Sequence, residues 1–426
     1  MQSKAHRVLD APGRFTVKSL AMTAEERKIL FFACSAHFFT HFYILVFPTL
    51  VMPLTRQLEL PLAEVVNIGF WMYMLYGLLA LVWGWISDHW GHKYVMAAGM
   101  LIAGGGLACA GFMNSRAGIT LAFAAVGFGC SAYHPAGTAL VSQGIRERGR
   151  ALGINGIWGS VGMASVPFTV GFFNYALGWR GAVMILGALG ILLGIGSLIV
   201  PLRVDRESDR KVVSGLESAD AFRLLVLLCI TMLFAGLMYR AFTVILPAFL
   251  ESRIGDLSAR LSGGAFFGSD SGALKTLMAN SLTTLVYVLG IAGQALGGRV
   301  ADRYSLKHAY FLFFCLASPF VLGMRYLSGW GLAACAAGFV FFAVGMQPIE
   351  NSLIAFLTPP RWRSVSYGAK FTLVFGAGSL AVRLVGLVEG AFGLDQVIWL
   401  VGGFLLLVIV SGGGLLMASR RHEIRH

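Results

Sequence analysis

The sequence predicts an all-α polytopic membrane protein with twelve transmembrane helices in two six-helix, pseudo-symmetric halves. Composition, the spacing of apolar segments and an internal repeat support this prediction. Hydrophobic residues make up 57% of the 426 positions and charged residues 12%, whereas about 25% of a soluble domain is charged. Stretches such as 95–113 and 181–200 contain no formal charge, and their length is close to the roughly 20 residues that cross a bilayer core.

Twelve segments qualify as spans when the sequence is scanned with a window of roughly 19 residues. Thr23, with Glu26 three positions later, resembles a capping box, which predicts that the first helix begins slightly before the bilayer. Residues 1–27 contain no short apolar core followed by a small-residue cleavage site, so we expect the first span itself to direct insertion. In chain order, the predicted spans are near 29–54, 65–86, 94–114, 118–143, 151–176, 181–201, 222–250, 276–298, 308–327, 329–357, 366–390 and 396–417.

The positive charges predict the orientation. Most of the 33 Lys and Arg residues fall on the side that would hold both termini, and such residues concentrate in cytoplasmic loops. We therefore expect a multi-pass protein of the cell inner membrane with cytoplasmic termini, and we attribute the net charge of +13 to topology rather than to nucleic-acid binding. The predicted domains are a tail 1–27, a six-helix half 28–202, a charged linker 203–221, a six-helix half 222–418 and a tail 419–426.

An internal repeat links the two halves, because the loop between spans 2 and 3 and the loop between spans 8 and 9 share a pattern. We expect the first glycine of each copy to let a neighbouring helix approach closely. We expect the aspartate to accept hydrogen bonds from the opposite half and so to latch the cytoplasmic side shut. The predicted gate residues are Gly84, Asp88, Gly91 and Lys93 in the first copy, and Gly298, Asp302, Arg303 and Lys307 in the second.

This repeat resembles the signature loop of the major facilitator superfamily, Gly-x-x-x-Asp-Arg-x-Gly-Arg-Lys, with His89 at the usual Arg and Ser305 at the usual Gly. Residues 36–38 and 129–135 look most like the fosmidomycin-resistance-like branch of drug exporters, although Ala136 stands where that branch commonly carries Glu. The resemblance implies a monomeric secondary transporter that works by alternating access on a small-molecule substrate, without a cofactor. It also implies that spans 1, 4, 7 and 10 line a central cavity, while spans 3, 6, 9 and 12 face lipid.

Polar side chains inside spans are costly, so they indicate a partner or a watery cavity. His37 and His41 are four residues apart, and Gln347, Glu350 and Asn351 follow the spacing i, i+3, i+4, so each group projects from one helical face. No fuller ligand set with Cys or carboxylate is visible, so the sequence predicts no metal site. The candidates for proton coupling are Glu350, His134 and His41, and the candidates for substrate binding are Arg240, His37, Gln347, Asn351, Lys370 and Tyr133.

Four charged residues have alternative interpretations. Arg240 either binds an anionic group, pairs with Glu350, forms some other structural ion pair or snorkels to the interface. Glu350 is the only acidic residue well inside a span, and it either exchanges a proton while it alternates between a cation and water or forms a fixed salt bridge that braces the C-terminal half. Lys370 either contributes to the site or extends its long stem to the inner interface, and Arg383 either pairs with Glu389 or contacts the substrate.

The predicted function is secondary transport. No Gly-x-x-x-x-Gly-Lys-Ser/Thr phosphate loop occurs, so a gradient must drive it, and no catalytic pattern indicates an enzyme. The first hypothesis is proton-coupled export of small amphiphilic or drug-like compounds. The alternatives are transport of an anionic metabolite and, from another class, a transporter-derived sensor or scaffold without flux.

Overall fold

The computed structural model describes residues 22–202, 219–253, 271–358 and 363–419, and over these ranges the chain is helical and forms no strand. By length and composition, 10 helices in this part of the chain can each cross a membrane, and a bent pair of helices adds one more. One of the 10 is a single stretch, Arg148–Ile199, that breaks at Gly178, where φ is 72° and ψ is 164°. Its two arms are predicted spans 5 and 6, so all twelve predicted spans are present.

The helices are numbered here in chain order. The N-terminal half contains α1 (Ala24–Leu58), α2 (Leu62–Ile68), α3 (Phe70–Leu78), α4 (Ala80–Trp90), α5 (His92–Ala110), α6 (Arg116–Cys130), α7 (Tyr133–Gly144) and α8 (Arg148–Ile199). The C-terminal half contains α9 (Ala219–Ser252), α10 (Ser271–Arg303), α11 (Leu306–Tyr326), α12 (Gly329–Gly345), α13 (Gln347–Leu357), α14 (Arg363–Phe371), α15 (Leu380–Phe392) and α16 (Val397–Ala418). A π-helix, Thr372–Gly376, and a 3₁₀ turn, Ala377–Ser379, join α14 to α15.

Several spans are interrupted helices. Span 2 consists of α2, α3 and α4, span 4 of α6 and α7, span 10 of α12 and α13, and span 11 of α14 and α15 with the π-helix between them. Such breaks free backbone groups inside a membrane, where they are tolerated only next to protein or a water-filled cavity. The breaks in spans 4 and 10 immediately precede polar side chains, His134 and Gln347.

The first helix begins where the sequence predicts. Thr23 Oγ1 accepts a hydrogen bond from the backbone N–H of Glu26 at 3.2 Å, and Glu26 Oε2 accepts one from the backbone N–H of Thr23 at 2.7 Å. This reciprocal pair is the predicted capping box. The Glu26 carboxylate also accepts hydrogen bonds from Arg146, so the start of α1 is tied to the segment before α8.

Glycine contacts repeat between the halves. A Cβ at Gly127 of α6 would overlap the carbonyl oxygen of Met72 in α3, and a Cβ at Gly297 of α10 would overlap that of Gly345 in α12. Spans 2 and 4 in the first half correspond to spans 8 and 10 in the second, so glycine brings the same pair of helices together in both halves. Small residues at such positions let the backbones of membrane helices approach closely.

The outer surface is apolar along three of the four spans that the prediction assigns to lipid. Spans 6, 9 and 12 expose large aliphatic and aromatic side chains along their length, as a lipid-facing surface requires. They include Ile185, Leu189, Leu192, Ile195, Leu312, Leu316, Leu322, Trp399, Leu406, Leu407 and Val410. The exposed large hydrophobic residues of span 3, in contrast, are Tyr94 and Phe112 at its two ends.

The two ends of the bundle differ in how the halves meet. We call the end that contains Glu26 and the predicted gate segments 84–93 and 298–307 the basic side, and the other end the opposite side. On the opposite side, Arg56 at the end of α1 forms an ion pair with Glu251 at the end of α9. An ion pair therefore connects the two halves on the opposite side.

A second contact on the opposite side corrects the expectation for Arg383. Its Nη1 donates to Asn67 Oδ1 of α2 at 3.3 Å, and its guanidinium lies 4.4 Å from the centre of the Phe70 ring. Among the described residues Arg383 has no ion pair with Glu389, because it reaches across to the N-terminal half instead of along its own helix.

Candidate functional site

Three histidines of the N-terminal half lie close together. α1 supplies His37 and His41, one turn apart, and α7 supplies His134. One ring nitrogen from each lies within 4.8 Å of the other two. The ring centres are 4.8 Å apart for His37 and His41, 5.5 Å for His37 and His134, and 5.4 Å for His41 and His134. We call these three residues the histidine cluster.

Each ring of the histidine cluster has a different environment. His37 is 9% exposed, stacks on Tyr133 with ring centres 4.7 Å apart, and places Nδ1 2.7 Å from the carbonyl oxygen of Asn155. Because a carbonyl only accepts, Nδ1 of His37 carries the proton. The Asn155 side chain bonds to the Tyr133 hydroxyl, which fixes that tyrosine. His41 and His134 are partly exposed.

The C-terminal half closes the other side of the cluster with aromatic rings. Phe371, the last residue of α14, stacks on His134 with ring centres 4.6 Å apart. Phe375, in the π-helix, lies 5.1 Å from Tyr76 between ring centres, and the Tyr76 hydroxyl is 2.9 Å from Nε2 of His134. The histidine cluster therefore lies where the two halves of the protein meet.

Arg240 lies beside this region without a carboxylate partner. It is 2% exposed, and its guanidinium carbon is 3.7 Å from the centre of the Tyr73 ring. Tyr73 precedes Tyr76 by three residues on α3, so it projects from the same face of that helix. Within the described part of the chain no acidic residue forms an ion pair with Arg240, and its Nε has no hydrogen-bond partner.

Glu350 pairs with Lys370. Its Oε1 is 2.8 Å from Lys370 Nζ, its Oε2 accepts a hydrogen bond of 2.7 Å from the Tyr310 hydroxyl, and Lys370 Nζ also donates to Asn351 Oδ1 at 2.7 Å. Glu350 is 1% exposed. Of the two cations considered for Glu350 in the sequence, Lys370 forms the contact and Arg240 does not. The Lys370 ammonium group therefore binds a buried carboxylate and does not extend to the membrane interface.

The polar residues of α13 contact different helices. Gln347 Oε1 accepts a hydrogen bond from Gln294 of α10 at 2.8 Å, and Gln294 Oε1 accepts one from Ser160 of α8 at 2.7 Å. Glu350 and Asn351 instead contact Lys370 of α14. The spacing predicted one shared space for these three residues, whereas in the structure Gln347 contacts α10, Glu350 contacts α11 and α14, and Asn351 contacts α14.

The two aspartates of the gate motif make no hydrogen bond or ion pair with the opposite half in the described part of the chain. Asp88 and Asp302 are exposed, and neither has a hydrogen bond or ion pair with any residue that the structure describes. The lysines are used within each half. Lys93 Nζ donates to the carbonyl oxygen of Leu198 at 2.9 Å, and Lys307 Nζ donates to that of Ser419 at 2.6 Å. Each lysine thus caps the last span of its own half, where helix carbonyls lack partners. Arg303 is exposed beside Asp302.

The gate glycines differ from the prediction. Gly91 has φ of 96°, a conformation that favours glycine, whereas Ser305 in the second copy has φ of −60° and needs no glycine. Gly298 has open space where a Cβ would stand, and a Cβ at Gly84 would make only an ordinary contact with Pro135. The prediction that these first glycines allow close helix approach is therefore wrong, and in span 8 the preceding Gly297 has that role.

Comparison with known proteins identifies the family. A family model described as the Major Facilitator Superfamily matches residues 30–274. The chain belongs to the Major Facilitator Superfamily. It is accordingly a membrane transporter and not an enzyme. A curated relative is a probable L-galactonate transporter of Escherichia coli (strain K12), 28% identical over 125 residues, and this match spans 29% of the present chain and 28% of that protein's length.

Solved structures of transporters share the fold of this superfamily member. A bacterial homologue of the human lysosomal transporter Spinster, in an inward-facing and unoccupied conformation, has a TM-score of 0.74 at 14% identity and covers 93% of this chain and 98% of its own. The nucleoside transporter NupG has a TM-score of 0.71 at 14% identity and covers 91% of this chain and 99% of its own. At this identity the likeness establishes the fold alone.

Some site residues of this superfamily transporter were not singled out from the sequence. Asn155, Gln294 and Tyr310 bind His37, Gln347 and Glu350 from other spans, and no local spacing relates these partners. A signal was available for Asn155 and Gln294, because an amide in an apolar span requires a partner. The sequence gave no such signal for Tyr310, since tyrosine is common in membrane helices.

Proposed function

We propose that this transporter moves a small organic anion and that Arg240 binds the anionic group. The observation behind this is a buried arginine without a carboxylate partner among the described residues. A central Arg costs about 2.5–3.5 kcal/mol on the insertion scale, and a desolvated cation–π contact such as the one with Tyr73 offsets about 2 kcal/mol. A bound anion would supply the rest through charge-assisted hydrogen bonds.

The class of anion is suggested by the curated relative. The E. coli protein is named a probable L-galactonate transporter, and galactonate is a polyhydroxylated carboxylate. Such a substrate needs one cation for the carboxylate and neutral hydrogen-bonding groups for the hydroxyls. Arg240 would supply the cation. Tyr73, whose hydroxyl is buried without a partner among the described residues, would supply one of the neutral hydrogen-bonding groups. L-Galactonate is therefore the first probe to use.

The driving ion in this proposal is the proton, and Glu350 carries it. Protonation of Glu350 would remove the charge that holds Lys370 and would free the lysine to move. The π-helix that begins two residues after Lys370 supports such movement, because π-bulges are irregular turns that are frequent at functional sites. The fixed salt bridge remains the alternative, and it differs in one consequence: removing Glu350 would then leave coupling intact.

The orientation of the cycle follows from the two ends of the bundle. We infer that the basic side is cytoplasmic, because Lys and Arg concentrate in cytoplasmic loops, and that the protein lies in the inner membrane. The ion pair between Arg56 and Glu251 on the opposite side, together with the unpaired Asp88 and Asp302 on the basic side, supports a conformation that is open to the cytoplasm. In the alternate conformation these aspartates would contact the opposite half.

A second candidate function is export of amphiphilic or drug-like compounds. The aromatic wall around the histidine cluster favours it, since Tyr76, Phe371 and Phe375 offer ring faces to an apolar or cationic ring. The two candidates differ in the charge that they require of the substrate, because a cationic drug would be repelled by Arg240.

Thermal melting of the purified protein separates these candidates. We expect L-galactonate and similar sugar acids to raise the Tm of the wild type and to have no effect on Arg240→Gln. Arg383→Gln is the matched control, because Arg383 is another arginine of the membrane helices but already bonds to Asn67. Anion stabilisation that survives in Arg240→Gln would refute the assignment of Arg240. Stabilisation of the wild type by cationic amphiphiles but by no anion would replace the proposed function with the second candidate.

A further inference from the structure

The histidine cluster contains a buried nitrogen without a partner. Nε2 of His37 has no hydrogen-bond partner in the described part of the chain, although the residue is more than nine-tenths buried. Buried polar atoms are nearly always satisfied, so such an atom indicates a water, an ion or another bound group. We infer that His37, His41 and His134 bind one divalent transition-metal ion.

The protonation state of His37 suits a metal ligand. Because Nδ1 donates to the Asn155 carbonyl oxygen, Nε2 carries the free lone pair. Metal-binding histidines almost always donate their other ring N–H to a carbonyl or carboxylate, which fixes the tautomer and raises the basicity of the ligating nitrogen. Asn155 is itself held by Tyr133, so the orientation of the His37 ring is set before any ion arrives.

The other two rings can supply the remaining ligands. Nε2 of His134 lies 2.9 Å from the Tyr76 hydroxyl oxygen, and in the tautomer whose Nε2–H donates to that oxygen, Nδ1 of His134 has a free lone pair for a metal ion. No residue that the structure describes bonds to the His41 ring nitrogens. Metal–nitrogen bonds of about 2.0–2.1 Å in a tetrahedral site place the ligand nitrogens roughly 3.4 Å apart. One ring nitrogen of each histidine lies within 4.8 Å of one nitrogen of each of the other two rings, so rotation of the rings would bring the ligating nitrogens to that shorter separation.

The ligand set selects the class of ion. Imidazoles suit Zn²⁺, Ni²⁺, Cu²⁺ and Fe²⁺, whereas Mg²⁺ and Ca²⁺ prefer oxygen ligands. Three protein ligands leave a fourth position open, as in sites that exchange a water or a substrate. The described part of the chain places no carboxylate in the cluster, and Arg240 adds a positive charge nearby, so we assign the fourth position to an anion or hydroxide. Partial exposure of His41 and His134 gives that ligand access.

Titration with Co²⁺ tests this inference on the full-length protein in detergent. We expect one Co²⁺ per chain with the intense visible absorption of a tetrahedral ion, displaced by Zn²⁺. His41→Gln is the principal variant, because His41 has no hydrogen bond to lose. It should weaken Co²⁺ binding by more than the roughly 10- to 100-fold that loss of a supporting hydrogen bond costs, and Tyr76→Phe should weaken it within that range. His308→Gln, an exposed histidine on the basic side, is the matched control and should have no effect.

The outcomes separate a built site from adventitious binding. Equal loss of Co²⁺ binding in His41→Gln and His308→Gln, or a purely octahedral spectrum, would overturn the inference. Tetrahedral Co²⁺ binding that is retained in both His41→Gln and His134→Gln would also overturn the inference. Each variant must melt within a few degrees of the wild type without metal, so that weakened binding is not unfolding. The inference does not depend on the proposed substrate, because binding is measured without one.

Discussion

The pair of Glu350 and Lys370 allows stability and coupling to be measured separately. Glu350→Gln removes the carboxylate charge but leaves Lys370 buried, and breaking a buried ion pair in this way costs about 3–5 kcal/mol. The double variant Glu350→Gln with Lys370→Met replaces both charges with neutral groups of similar volume and should recover most of that loss. We expect neither variant to drive uphill transport, because neither has the proton-binding carboxylate.

The assay has two parts. The free energy of unfolding of both single variants and the double variant, measured in the same detergent, gives the coupling energy between the two residues. Proteoliposomes then compare uphill transport under an imposed pH gradient with downhill exchange at equal pH on both sides. A double variant that is stable and exchanges substrate but does not concentrate it would support proton binding at Glu350. A double variant that still concentrates substrate would refute it and leave the pair as a brace.

Three further predictions concern the gate and the fold. Asp88→Asn should lower the transport rate strongly without changing the amount of protein in the membrane, and Asp302→Asn should lower the rate less. Flux assays and quantification of the protein in membranes check this, and equal losses of transport in the two variants would contradict the ranking. Gly297→Ala should destabilise the protein by more than 1 kcal/mol, since its Cβ would overlap a carbonyl oxygen, whereas Gly298→Ala should stay within about 0.5 kcal/mol; equal unfolding free energies would contradict the helix contact. Glu251→Gln should increase labelling of single cysteines from the opposite side, because it removes an ion pair between the halves, and unchanged labelling would mean that other contacts close that side.

Most of the fold was predictable because a membrane imposes length and composition on every span. Each of the twelve apolar segments has a helical counterpart, and the break predicted between spans 5 and 6 occurs at Gly178. The interruptions within spans 2, 4, 10 and 11 were not predicted. They depend on packing against neighbouring helices, as where a Cβ at Gly77 would overlap the backbone of Gly376, and a hydropathy window does not detect this.

The site was predictable only where one helix determines it. The spacing of His37 and His41 places them together, but the addition of His134 depends on how α7 packs against α1. Likewise, the sequence offered Arg240 and Lys370 as partners of Glu350, and hydropathy could not choose between them. Within the second copy of the gate motif, the sequence assigned the close helix approach to Gly298, whereas the packed glycine is Gly297.

The central proposal is that an organic anion binds at Arg240 and is moved by a proton gradient. The most direct test is the uptake of radiolabelled L-galactonate into proteoliposomes, with and without an imposed pH gradient, for the wild type, Arg240→Gln and Arg383→Gln. We predict accumulation that collapses with a protonophore, is lost in Arg240→Gln and is kept in Arg383→Gln. Accumulation that persists in Arg240→Gln, or that does not respond to the pH gradient in the wild type, would contradict the account.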